Sequence, residues 1–375
     1  MGELRYIKIN EIEDSKVNIF GRLGKVRQPL PLLFNGSAVE VRVNGSDLWI
    51  DVETDSDFHE PWVAYELNGA MMGRQMLLPG KHRICLFRNM NPETFKTVRF
   101  YRELQAMSED DRCKVLVHGI ELDGELGEVE KLSRKIEFIG DSITSGEGSY
   151  GAVTDVDWLA MYMSASVNYA TMTAKELKAD YHILSQGGWG VFCGWDNDPR
   201  HNIPKVYEKV CGLVTGPLSA ELGMDEDYDF SSWQPDVIVV NLGTNDITAF
   251  SQPPLVNPDD GLTYKQRVNP DGSLNREDEL KVENAIVAFL KMLRNQSHKA
   301  HIAWCYGMLG SHLNLTITEA VTAYRKETGD TNVSFFQLPN TTMDTFGAHM
   351  HPGRKSHENG ASALVYYLRE KMNWY

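Results

Sequence analysis

The sequence lacks any long uninterrupted run of apolar residues. A helix that spans a bilayer needs about 20 consecutive, predominantly apolar residues, and none of the 375 positions begins such a stretch. The amino-terminal residues MGELRYIKINEIEDSKVN are polar and charged, without the apolar segment of a secretory signal. The sequence therefore predicts no membrane association and a cytoplasmic location.

Basic residues are scarce relative to acidic ones. The chain has 37 Lys and Arg against 52 Asp and Glu, a formal net charge of −15, and no tract is rich in Lys or Arg. Such a surface repels the phosphates of nucleic acids and of anionic lipids. We therefore expect neither as a partner, and a neutral ligand such as a glycan suits this charge better.

Cysteines are few and widely spaced. The five of them, an odd number, form no CxxC pair. This pattern favours reduced thiols that act as small apolar side chains over a disulfide framework or a zinc site. They are Cys85, Cys113, Cys193, Cys211 and Cys305.

Up to about residue 130, apolar and polar residues mostly alternate with a period of two. Val39, Val41 and Val43 lead into the turn 44–47, after which the alternation resumes. Short alternating segments separated by turn residues indicate a β-sandwich. We predict this domain over residues 1–130. Its expected strands are 39–43, 48–52, 62–67, 83–87, 97–104 and 114–122.

After an acidic, glycine-containing linker at 123–130, the pattern becomes an alternation of strands and helices over 134–375. Such an alternation predicts a parallel sheet covered by helices on both faces. The expected strands are 136–139, 182–184, 237–240, 302–304 and 333–338. The expected helices are 155–179, 276–295, 317–328 and 352–371.

Ser142 lies in the cluster GDSIT, directly after the first strand of this second domain. In open α/β sheets, ligands bind beyond the carboxyl ends of the strands. A serine on a tight turn between strand and helix exposes its hydroxyl there, and its own N–H points into the same crevice. The alternative is a structural helix cap, because Ser and Asp are good N-cap residues.

Three further clusters accompany the serine. Gly188 in GGWG follows the second strand, where glycines let the backbone approach a ligand. Asn245 in NLGTND closes the third strand and offers an amide donor. His351 in HMHP precedes the last predicted helix and offers a base. Taken singly, each has an ordinary alternative: a flexible loop, a cap or a surface turn.

Together, these four clusters resemble the sequence blocks of the SGNH (GDSL-type) hydrolases over residues 136–372. With the preceding sandwich, the whole chain is similar to family two of the carbohydrate esterases. Those enzymes combine an N-terminal jelly roll with an SGNH domain and remove O-acetyl groups from plant polysaccharides. The resemblance implies a jelly-roll-like sandwich followed by a three-layer, flavodoxin-like α/β domain with a parallel sheet.

The resemblance also implies a serine esterase acting on an acetylated oligosaccharide, such as a mannan or xylan fragment. Ser142 would be the nucleophile and His351 its base. The oxyanion would be held by the N–H groups of Ser142 and Gly188 and by the side chain of Asn245. This chemistry requires no cofactor and no metal. The sequence predicts no particular oligomeric state.

One position departs from the common SGNH pattern, in which an Asp stands three residues before the histidine. Ala348 stands there, and His349 occupies the position two residues before. The imidazole of His351 still needs an acceptor to fix its tautomer. We expect a main-chain carbonyl from residues 348–350, with Asp344 as the fallback, and hence a Ser-His dyad.

The histidines near the chain end also permit a metal-site interpretation. His349 and His351 have HxH spacing and His357 follows, but no carboxylate or cysteine lies at a useful spacing. We therefore predict His349 and His357 to be ordinary surface or helix histidines.

Two tryptophans are candidates for stacking on a sugar ring. Trp189 lies between two glycines, so we expect it to be exposed to substrate. Trp195 follows shortly after, and for it core packing is an equal alternative.

Two other functions stay open at this point. A thioesterase or lipid esterase would share the chemistry but need a wide apolar acyl groove. A non-catalytic glycan-binding protein would use the sandwich, and exposed Trp49 or Trp62 would support it.

Overall fold

In the computed structural model, which describes residues 3–375, the N-terminal part of the chain forms two antiparallel sheets. One sheet has the order β1-β10-β5-β8 with β3 beside β10, and the other β11-β4-β9-β6-β7 with β2 beside β4. The strands are β1 (Arg5–Lys8), β2 (Val17–Phe20), β3 (Leu30–Pro31), β4 (Ala38–Val43), β5 (Leu48–Asp55), β6 (Trp62–Leu67), β7 (Ala70–Met76), β8 (Gly80–Phe87), β9 (Lys96–Arg102), β10 (Lys114–Leu122) and β11 (Leu126–Gly127).

Alternating side chains account for the packing of the two sheets. Along β5, every second residue is buried, beginning with Leu48, Ile50 and Val52. These side chains join a cluster of mostly aliphatic residues drawn from both sheets. The predicted β-sandwich is therefore confirmed. The predicted linker at 123–130 contributes β11, which pairs with β4.

The second part of the chain is built on a parallel sheet with the order β13-β12-β14-β17-β18. Its strands are β12 (Arg134–Gly140), β13 (Ala179–Ser185), β14 (Val237–Asn241), β17 (His301–Tyr306) and β18 (Val333–Gln337), and β15 (Leu255–Val256) with β16 (Thr263–Tyr264) forms a separate hairpin. The helices are α1 (Ser142–Ser145), α2 (Tyr169–Glu176), α3 (Gly216–Leu222), α4 (Thr244–Ala249), α5 (Arg276–Gln296), α6 (Asn314–Thr328) and α7 (Arg354–Met372).

Both faces of this sheet are covered, as expected for buried parallel strands. On β14, Ile238 and Val240 belong to a core cluster with residues of α5 and α6. Val237 and Val239 point to the opposite face, where they join residues of α2 and α7. The predicted three-layer α/β domain is thus confirmed. Among residues 3–375, no helix combines the length and the apolar character required to cross a bilayer.

The helix predicted over 155–179 is wrong. Most of that segment is irregular, with a single turn at Ala160–Tyr162, and only α2 is helical. The side chain of Asn168 accepts the N–H of Thr171 and caps α2 at its start. Upstream, Val156 and Leu159 are exposed, so no apolar face is buried that would stabilise a helix there.

Candidate active site

Ser142 and His351 meet although 209 residues separate them in the sequence. Ser142 opens α1 directly after β12, and His351 lies three residues before α7. The Nε2 atom of His351 is 2.8 Å from the Oγ atom of Ser142. This distance allows the imidazole to accept the hydroxyl proton.

The other imidazole nitrogen of His351 has a main-chain partner. Its Nδ1 atom lies 2.7 Å from the carbonyl oxygen of His349. Because a carbonyl only accepts, Nδ1 carries the proton and Nε2 is left free to accept from Ser142. The prediction of a carbonyl from residues 348–350 is confirmed. The fallback to Asp344 is wrong, since that carboxylate accepts from the Thr342 hydroxyl at 2.6 Å.

The turn that presents Ser142 is fixed by Asp141. The Oδ1 atom of this carboxyl accepts the N–H of Ile143 at 3.0 Å and thereby caps α1. Asp141 is fully buried, and burial raises the pKa of its carboxyl to about 7. Asp141 therefore fixes the geometry of this turn by accepting a hydrogen bond from the backbone.

Gly188 and Asn245 are connected through Trp189. Gly188 has φ of +79°, a conformation that suits glycine, and its loop follows β13. Asn245 lies in α4, after β14, and its Nδ2 atom donates to the carbonyl of Trp189 at 2.8 Å. An amide group has two N–H donors, so the second stays available for a substrate oxygen. Asp246 holds the same loop by accepting the N–H groups of residues 191–193.

Of the two candidate tryptophans, the structure buries Trp189 and exposes Trp195. The prediction that Trp189 is exposed to substrate is wrong, because its ring is 9% exposed and packs in the core, stacked on His201 with centroids 5.2 Å apart. The loop is held by the hydrogen bond that Asn245 donates to it and by those that Asp246 accepts from it, and in this position the ring faces inward. Trp195 is 47% exposed, and its Cδ1 atom lies 3.2 Å from the position a Cβ would take at Gly188. Trp195 is therefore the indole that a ligand can reach.

Glu147 is a site residue that the sequence did not reveal. Its Oε1 atom is 2.6 Å from Nδ1 of His349 and 3.5 Å from Nδ1 of His351. No carboxylate lies at a useful spacing from these histidines in the sequence. The fold nevertheless brings Glu147 into contact with His349, although the two residues are 202 positions apart. The one feature of the sequence that could have pointed to Glu147 is its position five residues after Ser142.

His349 and His357 were predicted to be ordinary surface or helix histidines, but each makes a specific hydrogen bond. The hydrogen bond with Glu147 raises the pKa of His349. His357 is fully buried within α7, and its Nδ1 accepts the N–H of Tyr169 at 3.2 Å. Burial lowers the pKa of His357 to about 3, so this imidazole is neutral near pH 7.

A metal centre does not fit these side chains well. Glu147, His349 and His351 offer ligand atoms within 4.8 Å of one another. However, Nδ1 of His351 carries a proton that is directed at a carbonyl, so this atom is unsuited to ligation. A second group contains Asp198, whose carboxylate is already paired with Arg200 at 2.6 Å. Hydrogen bonding accounts for both arrangements.

Residues 136–364 match the model of a protein family described as GDSL-like Lipase/Acylhydrolase. The chain belongs to this family. The matched range contains Ser142, Gly188, Asn245 and His351, the four positions that suggested an SGNH hydrolase.

Comparison with known proteins extends the match to the sandwich. An acetyl xylan esterase from the rumen bacterium Butyrivibrio proteoclasticus is 65% identical, with a TM-score of 0.98 over 99% of each chain. A family two carbohydrate esterase from Clostridium thermocellum, solved with cellohexaose, shares the fold at 23% identity and a TM-score of 0.78, over 96% of this chain and 100% of that one. The cellulase/esterase CelE of Acetivibrio thermocellus is 25% identical over 92% of this chain, which spans 37% of its length. The resemblance to family two of the carbohydrate esterases is confirmed.

Proposed function

We propose that this protein is a serine esterase that removes O-acetyl groups from plant oligo- or polysaccharides, with xylan as the first candidate. The observation that carries the proposal is the 2.8 Å contact between Ser142 and His351. A carbohydrate ester is supported as the substrate by similarity, because the chain is 65% identical to a protein named an acetyl xylan esterase.

The contacts of His351 with Ser142 and with the carbonyl of His349 support the following steps of ester cleavage. His351 accepts the hydroxyl proton of Ser142 while Oγ attacks the acetyl carbon, and then gives that proton to the sugar oxygen as the bond between this oxygen and the acetyl carbon breaks. The carbonyl of His349 keeps the proton on Nδ1 and so keeps Nε2 ready to accept. Water then attacks the acetyl-enzyme while His351 accepts its proton; the bond between the acetyl carbon and Oγ breaks, acetate leaves, and His351 returns the proton to Ser142.

Negative charge that develops on the ester oxygen needs donors already in place. Within the described part of the chain, the N–H of Gly188 has no hydrogen-bond acceptor, and Asn245 keeps one N–H beyond the one that it gives to Trp189. We propose that these two donors and the N–H of Ser142 together hold the oxyanion. Removal of one such donor lowers kcat by about 100- to 1000-fold in other serine hydrolases.

The proposal is tested by acetate release from acetylated xylan and acetylated glucomannan. Ser142→Ala is expected to lower the rate by about 1000-fold or more, since the nucleophile is lost. Ser149→Ala is a matched control, because Ser149 lies nearby and its buried hydroxyl has no hydrogen-bond partner in residues 3–375. Equal rates for the Ser142 variant and the unmodified protein would refute the proposal.

The substrate class is tested separately with aryl esters of different chain length. An acetyl esterase turns over the acetyl ester faster than the octanoyl ester. Faster turnover of the octanoyl ester would favour a lipid esterase or thioesterase instead. Glycan binding without any turnover would identify a non-catalytic binding protein.

A further inference from the structure

A carboxylate-imidazole pair lies directly beside the Ser142-His351 contact. Oε1 of Glu147 accepts a hydrogen bond from Nδ1 of His349 at 2.6 Å. The Glu147 side chain is buried and the His349 ring is partly exposed. The rings of His349 and His351 are parallel, with centroids 5.4 Å apart. None of the steps of ester cleavage described above uses this pair.

Glu147 is tied to the nucleophile turn by its backbone. Its N–H donates to the carbonyl of Ser142 at 3.0 Å. The next residue, Gly148, has φ of +77°, and a Cβ there would lie 2.6 Å from Cβ of His351. Only glycine permits this approach. The segment that carries the serine and the segment that carries the histidine are therefore in direct contact around Glu147.

His349 has a backbone conformation that needs support. Its φ and ψ of 51° and 35° lie in the left-handed region, which residues with a side chain rarely adopt. Two contacts hold it there: its N–H donates to the carbonyl of Asp155 at 2.6 Å, and its ring donates to Glu147. In this conformation the His349 carbonyl faces Nδ1 of His351.

We propose that the Glu147-His349 pair is a positioning device that replaces the carboxylate missing from the usual triad. It fixes the backbone carbonyl that orients His351, so Glu147 acts on the base through the main chain of His349. This inference rests on the proposed esterase function. The hydrogen bond with Glu147 raises the pKa of His349, as expected for an imidazole beside a carboxylate. In addition, Oε1 of Glu147 is 3.5 Å from Nδ1 of His351, so the carboxylate also lies next to the ring of the base.

The test compares kcat and KM for an aryl acetate. Glu147→Ala removes the acceptor, and His349→Asn removes the ring while keeping a residue type that tolerates the left-handed region. Each variant is expected to lower kcat by about 10- to 100-fold through misplacement of the base, with KM within about twofold. The double variant should be no slower than the slower single one, because both changes break one contact. Glu147→Gln keeps an acceptor oxygen and should recover most of the lost kcat.

A matched control pair exists on the sandwich, where Nε2 of His118 is 3.1 Å from Oε2 of Glu53. Glu53→Ala and His118→Asn should leave kcat unchanged. Thermal unfolding checks that every variant is folded. If Glu147→Ala does not fold, the kcat values of His349→Asn and Glu147→Gln test the inference instead. A kcat within twofold of the unmodified protein for both single variants, or losses that multiply in the double one, would overturn the inference. Absence of acetyl esterase activity in the unmodified protein would instead overturn the proposed function.

Discussion

The side-chain oxygen of Gln105 accepts a hydrogen bond from the backbone N–H of Gly187 at 2.8 Å. Gln105 follows β9 of the sandwich, and Gly187 precedes the oxyanion candidate Gly188. Arg102, a buried residue of β9, holds the carbonyl of Gln105 in turn. A side chain from the first domain therefore supports a loop of the second domain at the candidate active site.

A second side chain from the sandwich reaches the nucleophile turn. Nδ2 of Asn35 donates to the carbonyl of Thr144 at 2.9 Å, and its Oδ1 accepts from the Ser185 hydroxyl at 2.8 Å. By contrast, Trp49 and Trp62 each have an arginine over one ring face, with the guanidinium 4.0 Å and 4.2 Å from the ring centroid. These contacts favour a supporting role for the sandwich over a glycan platform built on those rings.

Gln105→Leu is expected to lower kcat by about tenfold, since the loop that carries Gly188 loses its anchor and small displacements of catalytic groups are costly. KM for an aryl acetate should change little. Steady-state kinetics provide the measurement. Gln28→Leu is the control, because the Gln28 side chain also makes a hydrogen bond to the backbone, donating to the carbonyl of His118 away from the loop. Equal effects of the two substitutions would show that the contact is merely structural.

The two tryptophans are predicted to differ in what they affect. Trp195→Ala should raise KM for acetylated xylan fragments by about tenfold, in line with the stacking energy of one exposed ring, and leave an aryl acetate unaffected. Trp189→Ala should lower the free energy of unfolding by about 3–5 kcal/mol, because it empties a core site. Kinetics on both substrates and urea unfolding test this. An unchanged KM on xylan fragments for the Trp195 variant would contradict it.

The sequence predicted those parts of the site that depend on local pattern. Ser142 and Asn245 each follow a buried strand, and parallel strands bring their carboxyl ends to one edge. Glu147 was missed because its partner lies 202 residues away. Trp189 was misplaced because its loop is held by hydrogen bonds with Asn245 and Asp246 of α4, which its flanking glycines do not reveal. The cytoplasmic location stays a prediction.

A buried ion pair joins the two domains, and we expect its removal to lower the free energy of unfolding strongly. Arg22 of the sandwich is fully buried, and its Nη2 atom is 2.8 Å from Oε1 of Glu137 on β12. Arg22→Met leaves the carboxylate buried without its cation, which costs about 3–5 kcal/mol of unfolding free energy in comparable cases. Urea unfolding measures it. Arg5→Met, which breaks an exposed pair with Glu125, should have no measurable effect. Equal stability of the Arg22 variant and the unmodified protein would contradict the prediction.

Asp141 should make the stability of the protein depend on pH. The pKa of this carboxyl is raised from 3.8 to about 7, mainly by burial, and the charges of Asp246 and Glu147 act in the same direction. The hydrogen bond from Ile143 acts in the opposite direction. No donor in residues 3–375 reaches Oδ2, so the ionised form is poorly compensated.

The direction of the effect follows from the two pKa values. Between about pH 4 and pH 7 the unfolded chain has lost this proton while the folded protein keeps it, so the unfolded state binds fewer protons. The contribution of Asp141 to the free energy of unfolding therefore falls as pH rises through this window and levels off above it. Asp141→Asn removes the titration but keeps an oxygen to accept from Ile143. Compared with the unmodified protein, the variant should gain stability between pH 5 and pH 8 in urea unfolding. A difference between the two proteins that is the same at both pH values would show that Asp141 does not titrate in this range.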